Sequence, residues 1–474
     1  MTTTTTMTAN KDSFDRFGDD LAELLLKYLP IKDRLRLQSV SKQWSALIFN
    51  TQTDLIFDWK LLHKMSLDSR RDYYQTIKLF KLIVSKCPNI TAVTISESSW
   101  YAPKHPDTDD MMKRIIDILI ENCHRLRHFT IKLDYDGLWS VIDSTFERFF
   151  RQFGRQLLTF KFEGYNHEFN KQLFNKVDDS MPNLKTLDII TYDNFDGQEC
   201  IVKLNDIFID NKMCYSLPKS LKSLNIKLNE SSMSLFVKFA EIFGKQLTSL
   251  KITFEQLMVD EDYYDYYYPN WNKWDLKPLS AGFEQMPRLR QLKFYLPIEF
   301  DTKFTGDLFS IIGRKCRQLK SLYYESYILT TVTIYRMFTS INKHMSKQLR
   351  LLSLKFSKYY YYEKETDLVL TSDLFNRLTG LIHLKLELYN YKLIGDQFFH
   401  DIHLNIPRLQ SIHCNGLSIT DESIQSIGQL AHLMDVYLRC DRNKLTTSES
   451  FISRHLLIDL IELIDEFCSD KTKI

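Results

Sequence analysis

From Ile90 onward the chain repeats one arrangement of positions: an apolar anchor, then apolar residues three and five places later, with polar residues between them. It runs through NITAVTI, RLRHFTI, QLLTFKF, NLKTLDI, SLKSLNI and QLTSLKI, and continues as RLRQLKF, QLKSLYY, QLRLLSL, GLIHLKL, RLQSIHC and HLMDVYL. The anchors are Ile90, Leu126, Leu157, Leu184, Leu221, Leu247, Leu289, Leu319, Leu349, Leu381, Leu409 and Leu433, spaced 24 to 42 residues apart. The apolar pair two places apart predicts a strand with one buried face. The intervals hold amphipathic stretches such as MMKRIIDILIENC, TFERFFRQFG, MSLFVKFAEIFG, DLFSIIGRKC and TIYRMFTSINKHM, which predict helices. A strand and helix of this size cannot bury their own apolar faces, so the copies must stack into one extended core. The expected fold class is α/β, with parallel strands on one side and helices on the other.

A strand–helix unit recurring about every thirty residues is the leucine-rich-repeat arrangement, and it is expected over residues 61–446. The copy at Leu409, followed by NGLSITDESIQSIG, resembles the cysteine-containing subtype of that repeat. After it, Thr446 and Glu449 form a capping box before an apolar stripe of Leu456, Leu457, Leu460, Ile461 and Ile464. This predicts a helix over 447–468 that caps the stack, or alternatively an amphipathic helix for a partner, and a tail at 469–474.

The first fifty residues follow a different period. Leu21, Leu24, Leu25 and Tyr28 fall at i, i+3, i+4 and i+7, the stripe of a short helix that Pro30 ends. Leu35 and Leu37 mark a second helix, and Val40, Trp44, Leu47 and Ile48 a third. Three short helices bury too little surface to stand comfortably alone. Their apolar faces call for a partner or a neighbouring domain. The run L-x-x-L-L-x-x-Y-L-P-x-x-D-x-L-x-x-x-x-V-S-K-x-W, with Leu29-Pro30, Asp33, Leu35 and the Val40-Ser41-Lys42-x-Trp44 block, closely resembles the F-box. Where that family usually has Leu-Pro at its start, this chain has Phe17-Gly18. The resemblance sets the organisation as a disordered tail at 1–12, an F-box at 13–60 and the repeats after it.

That resemblance, to F-box/leucine-rich-repeat proteins, implies a three-helix F-box that docks on a Skp1-type adaptor. Phe17, Gly18, Leu21, Leu24, Leu25, Leu29, Pro30, Leu35, Val40 and Trp44 are the residues it implies for that contact. It implies a non-catalytic substrate receptor of an SCF (Skp1–cullin–F-box) ubiquitin ligase, reaching a cullin-RING ligase through the adaptor. A second reading is a repeat scaffold that binds Skp1 without directing ubiquitination. A third, a small-molecule receptor, would need a deep basic pocket, of which the dispersed lysines give little sign.

Composition fits this picture. The 474 residues carry 62 Lys+Arg against 60 Asp+Glu, a net charge of +2, which argues against a chain dominated by nucleic-acid or membrane electrostatics. The 13 Gly and 11 Pro leave little material for linkers between separate domains. The polar N-terminus, MTTTTTMTANKD, lacks the basic and apolar regions of a signal peptide. With sparse cysteines and no C-x-x-C pair, a cytoplasmic or nuclear location is expected. Cys87, Cys123 and Cys316 each precede an anchor by three residues, the placement of buried small hydrophobes. Phosphate-loop, dinucleotide, serine-hydrolase and zinc-protease motifs are absent from the sequence. His124 and His128 fall on different elements, while His400 and His403 lie on a helix without a carboxylate or Cys cluster. No metal, cofactor or enzymatic activity is expected.

Strand alternation turns the second, fourth and sixth residues after each anchor away from the helices. That face carries Lys132, Lys161, Lys227, Lys251, Lys293, Lys355, Lys385 and Arg439, fewer acids, and aromatic sites including Tyr323 and Tyr437. It reads either as a solvated surface or as a groove for an acidic or phosphorylated protein segment. An insert, VDEDYYDYYYPNWNKWDLKP, adds Tyr264, Tyr267, Trp271 and Trp274 as candidate partner contacts. The acidic residues Asp260, Glu261, Asp262 and Asp265 argue against nucleic acid.

Overall fold

Each repeat contributes one short strand because its apolar residues alternate there, and one helix because they recur at helical spacing afterwards. The computed structural model describes residues 19–29, 31–39, 42–58, 73–96, 108–132, 142–164, 180–192, 199–201, 208–209, 212–213, 217–228, 232–254, 277–296, 302–326, 331–356, 370–388 and 394–440. The expected tail at 1–12 and the expected C-terminal helix at 447–468 lie outside them. The chain divides into two compact units, one formed by Met1–Cys200 with Tyr215–Ser220 and the other by Ile201–Cys214 with Leu221–Ile474.

The first unit opens with three helices, α1 (Asp19–Lys27), α2 (Ile31–Leu37) and α3 (Lys42–Thr51). Strand β1 (Asp54–Asp58) follows directly and pairs in parallel with β2 (Ala92–Ser96). The sheet therefore starts before the first repeat anchor. Leu55 and Phe57 of β1 point into the core while Ile56 is exposed. The parallel order continues through β3 (His128–Lys132), β4 (Thr159–Gly164) and β5 (Thr186–Tyr192). Helices α4 (Tyr73–Lys86), α5 (Thr108–Asn122) and α6 (Ile142–Phe153) connect the first four strands. The helix–sheet core is rich in phenylalanine: Phe57 meets Phe80 edge-on at 4.6 Å, and Phe129 lies 4.4 Å from Phe149.

The second unit repeats the plan with β6 (Ser223–Leu228), β7 (Ser249–Phe254), β8 (Gln291–Leu296), β9 (Ser321–Ser326), β10 (Leu351–Phe356) and β11 (His383–Leu388). Beyond β11 comes β13 (Ser411–Ser418), flanked by the two-residue β12 (Ile394–Gly395) and by β14 (Asp435–Cys440), all parallel. The helices are α7 (Met233–Phe243), α8 (Lys277–Glu284), α9 (Thr302–Lys315), α10 (Thr331–His344), the short α11 (Asp396–Phe399) and α12 (Ile402–Asn405), and α13 (Asp421–Gly428). Phe309 of α9 meets Tyr324 of β9 at 5.2 Å and 87°, one of several ring contacts that join helix to sheet. His400 and His403, read from sequence as one helix, are separated: Asp401 adopts a left-handed backbone (φ 57°) that ends one short helix and begins the next.

Register repeats with the sequence. Leu250, Leu292, Leu322, Leu352 and Leu384 stand side by side on successive strands, with Ile252, Phe294, Tyr324, Leu354 and Leu386 beside them. All anchors from Ile90 to Leu409 are buried together with their two apolar followers. The turns before the strands are tied by a recurring backbone pattern. The carbonyl of Thr91 accepts from the N–H groups of Arg127 and His128, and that of Arg127 accepts from Leu158 and Thr159. The same fork recurs at Thr248, Arg290, Lys320 and Arg350.

Candidate functional site

Two surfaces follow from this architecture: the outer face of the N-terminal helices and the outer face of the sheet. In α1, Ala22 and Leu26 turn inward and are fully buried, as are Trp44 (3 % exposed) and Ile48 of α3. The opposite side of α1 leaves Leu21, Leu24, Leu25 and Tyr28 in solvent at 43, 48, 42 and 80 % exposure. A nine-residue helix with apolar residues on both sides has one face more than its own fold uses. Tyr28, outside the expected contact set, is the most exposed of the four, and its signal in the sequence was its place seven residues after Leu21.

The base of this unit is fixed to the sheet. Arg34 donates from Nε to the Leu29 carbonyl (2.7 Å) and from Nη1 to Gln52 Oε1 (3.0 Å). Gln52, itself buried, donates onward to the Asp54 carbonyl, and Asn89 Nδ2 reaches the Asn50 carbonyl at 2.8 Å. Lys86 lies 5.1 Å over the Phe49 ring. The end of α3 is therefore held to the start of the sheet, while the α1 stripe stays exposed.

Of the expected adaptor contacts, Leu21, Leu24 and Leu25 are at the surface, and Leu29 is half-buried. Trp44, also among the expected contacts, is buried between the helices. Phe17, Gly18, Pro30, Val40 and the side chain of Leu35 lie outside the described residues, as do Tyr264, Tyr267, Trp271 and Trp274 of the insert.

On the sheet, Lys161, Lys251, Lys293, Tyr323, Lys385 and Tyr437 occupy the outer face as the alternation requires. Lys227 does not. Strand β6 is buried on both faces, and Lys227 is only 6 % exposed, beside buried Asn225. Elsewhere the face supplies its own counter-charges. Lys132 pairs with Glu163 at 2.9 Å, Lys355 with Glu325 at 2.6 Å and Lys385 with Glu387 at 2.6 Å. Lys251 lies 5.1 Å over the Tyr295 ring and Lys293 4.8 Å over Tyr323, while His413 stacks on Tyr437 at 4.1 Å. A shallow cleft of about 220 Å³ between Tyr295, Tyr323, Ser353, Lys355, Lys385 and Glu387 is thus lined by paired charges and rings. Burial, with the Lys385 charge, holds the His413 pKa below its ordinary value. Three lysines of this face are thus paired with carboxylates and two lie over tyrosine rings, which makes it polar and aromatic.

Among the described residues no three of His, Cys, Asp and Glu gather into a group that could hold a metal ion, and no helix is long and apolar enough to cross a membrane. The thiols of Cys87, Cys123 and Cys316 are buried, with pKa values pushed up by burial to about 11, about 12 and about 12, which leaves them poor nucleophiles.

Comparison with known proteins addresses the N-terminal surface. No curated protein matches the sequence significantly. Among solved structures, the chain is similar to one in the crystal structure of the Rad7 and Elc1 complex in yeast, at 14% identity and TM-score 0.39, covering 93% of this chain and 94% of that one. An internalin (inlF) from Listeria monocytogenes str. 4b F2365 is similar at 11% identity and TM-score 0.28, covering 77% of each chain. A family model described as the F-box domain matches residues 14–52, so the segment that bears the exposed α1 stripe is an F-box domain.

Proposed function

We propose that this chain is a non-catalytic substrate receptor of an SCF-type ubiquitin ligase, with its F-box docking on a Skp1-type adaptor and its leucine-rich repeats holding a protein substrate. The observation that carries the reading is the unused apolar face of α1, Leu21, Leu24, Leu25 and Tyr28, within the segment matched as an F-box. Through the adaptor the chain joins a cullin-RING ligase, and the role belongs to the cytoplasm or nucleus. The mechanism is proximity: tethering raises the effective concentration of a substrate near a charged ubiquitin carrier, while the chemistry is done by other subunits. The outer sheet face, with Lys161, Lys251, Lys293, Tyr323, Lys385 and Tyr437, supplies polar and aromatic contacts for the substrate.

The test is capture of a purified Skp1-type adaptor by the full chain. Leu24→Asp combined with Leu25→Asp puts two carboxylates on the exposed stripe without touching Ala22, Leu26 or Trp44. Adaptor capture is expected to disappear while the far-ultraviolet circular dichroism stays that of the parent. Capture at the parental level would overturn the reading.

A further inference from the structure

The outer sheet face supplies carboxylate partners for three of its lysines, whereas the turns that lead into strands β9 and β10 gather cations with few such partners. There, α9 and α10 end side by side and open a cleft of about 630 Å³ lined by Gly313, Arg314, Lys315, Arg317, Lys343, His344, Ser346, Lys347 and Gln348. Five of these nine residues are permanent cations and none is acidic. The five are exposed, and among the described residues the carboxylate that pairs with them is Glu284, 3.4 Å from Lys315. Arg317 and Lys347 hold the same place in their repeats, two residues before the anchors Leu319 and Leu349. Stacking the repeats therefore brings them onto one edge.

The cleft is a built feature. A Cβ added at Gly313 would stand 2.6 Å from the His344 Cβ and 3.0 Å from its backbone, so the missing side chain lets the two helix ends close up. Gln348 Nε2 donates to the carbonyls of Gly313 and Cys316, both at 3.4 Å, and fixes the floor. His344 is half-buried there; burial and the charges of Lys343 and Arg314 depress its pKa.

Cations at helix C-termini can simply offset the helix dipole. Each terminus presents roughly half a negative charge, so two account for about one of the five. Helices α7 and α8 of the same unit carry no basic residue in their last turns, so the stack does not demand such compensation. A positive excess of about three charges remains after Glu284 and the dipoles are counted.

We infer that this cleft is a docking site for a phosphorylated, acidic segment of a protein partner. Arg314 and Arg317 offer planar forks for bidentate phosphate contacts, and Lys315, Lys343 and Lys347 act as point charges around them. The lining holds no Phe, Tyr or Trp ring on which a base could stack, and the whole chain is near neutral, both of which disfavour nucleic acid. The inference rests on the receptor reading and moves its phosphate-recognising element from the sheet face to the turn edge.

The experiment titrates the full chain with a fluorescein-labelled peptide bearing two phosphoserines among glutamates. Its unphosphorylated form and a labelled single-stranded oligonucleotide serve as the other probes, at about 0.15 M salt. Saturable binding of the phosphopeptide is expected, weakened about tenfold or more by Arg314→Glu with Lys343→Glu and unchanged by Lys78→Glu with Lys113→Glu, at exposed helix positions of the first unit. Thermal unfolding of each variant checks folding, and Arg317→Gln with Lys347→Gln gives a milder pair expected to lose several-fold. No saturable binding, equal binding by the Arg314/Lys343 variant, or tighter binding of the oligonucleotide would overturn the inference. Adaptor capture is measured on the same samples. Its retention alongside a failed titration sinks the cleft alone, whereas its loss in the Leu24/Leu25 variant is unaffected by either result.

Discussion

At Gly282 a hydrogen is the largest side chain that fits, because a Cβ there would stand 2.4 Å from the Phe236 ring. Gly282→Ala forces that buried ring or the helix to move and is expected to cost about 1–3 kcal/mol, read by urea unfolding. Burial separates two residues that a motif treats alike. Trp44→Ala empties the centre of the N-terminal helices and is expected to cost about 3–5 kcal/mol in the same measurement. Leu25→Asp changes a 42 % exposed position and should leave the unfolding midpoint almost unmoved. The motif named both residues, but it carries no record of which side of the helix faces outward. That came only when α1 and α3 were packed, with Ala22 and Leu26 taking the inner positions.

The most tightly bonded element end described is the start of α13. Thr420 accepts at Oγ1 from the Glu422 N–H, and donates through its own N–H and hydroxyl to Asp396, at 2.8 and 2.9 Å. Ser423 donates to the same carboxylate at 2.5 Å. Burial alone would raise the Asp396 pKa, but these donors outweigh it and hold it below the ordinary carboxylate value. A depressed folded pKa means stabilisation present at neutral pH and lost as pH falls through that value. Asp396→Asn is expected to lower stability by about 1–3 kcal/mol at pH 7 and to flatten the acid limb of the stability profile, checked by denaturant titration between neutral and acid pH. Elements of this kind were partly legible beforehand. TDESIQSIG displays its own cap, and the long helices announced themselves by periodicity. Strand β1 shows the same inward and outward alternation at Leu55, Ile56 and Phe57, yet it lacks a preceding anchor and so escaped the repeat template. The break at Asp401 left no such trace, since a left-handed Asp is set by local hydrogen bonding rather than by apolar spacing. Lys227 was misplaced for a third reason: alternation assigns a residue to a face but cannot say that the face is covered.

Across the whole molecule, repeats that contact their neighbours spread damage locally. Phe309→Ala, which removes the ring packed on Tyr324, is expected to cost about 3–5 kcal/mol. Amide exchange should rise most in β8, β9 and β10 and least in the first unit, as hydrogen-exchange mass spectrometry can show. The repetition itself was readable because burial of an anchor and its two followers recurs at nearly every strand. The counter-charging of the sheet face was not, because Lys355 and Glu325 are 30 residues apart and meet only through strand register. Repetition has a further effect on the thiols. Cys87, Cys123 and Cys316 sit at the same point of three separate repeats, sealed and with little thiolate, and Cys414 lies buried in a fourth. In a folded molecule a thiol reagent can reach each only when its own repeat opens. These four side chains are therefore resident clocks: with the other cysteines replaced by serine, their separate labelling rates would time the breathing of four positions along the stack, and would show which repeats loosen first when a partner departs.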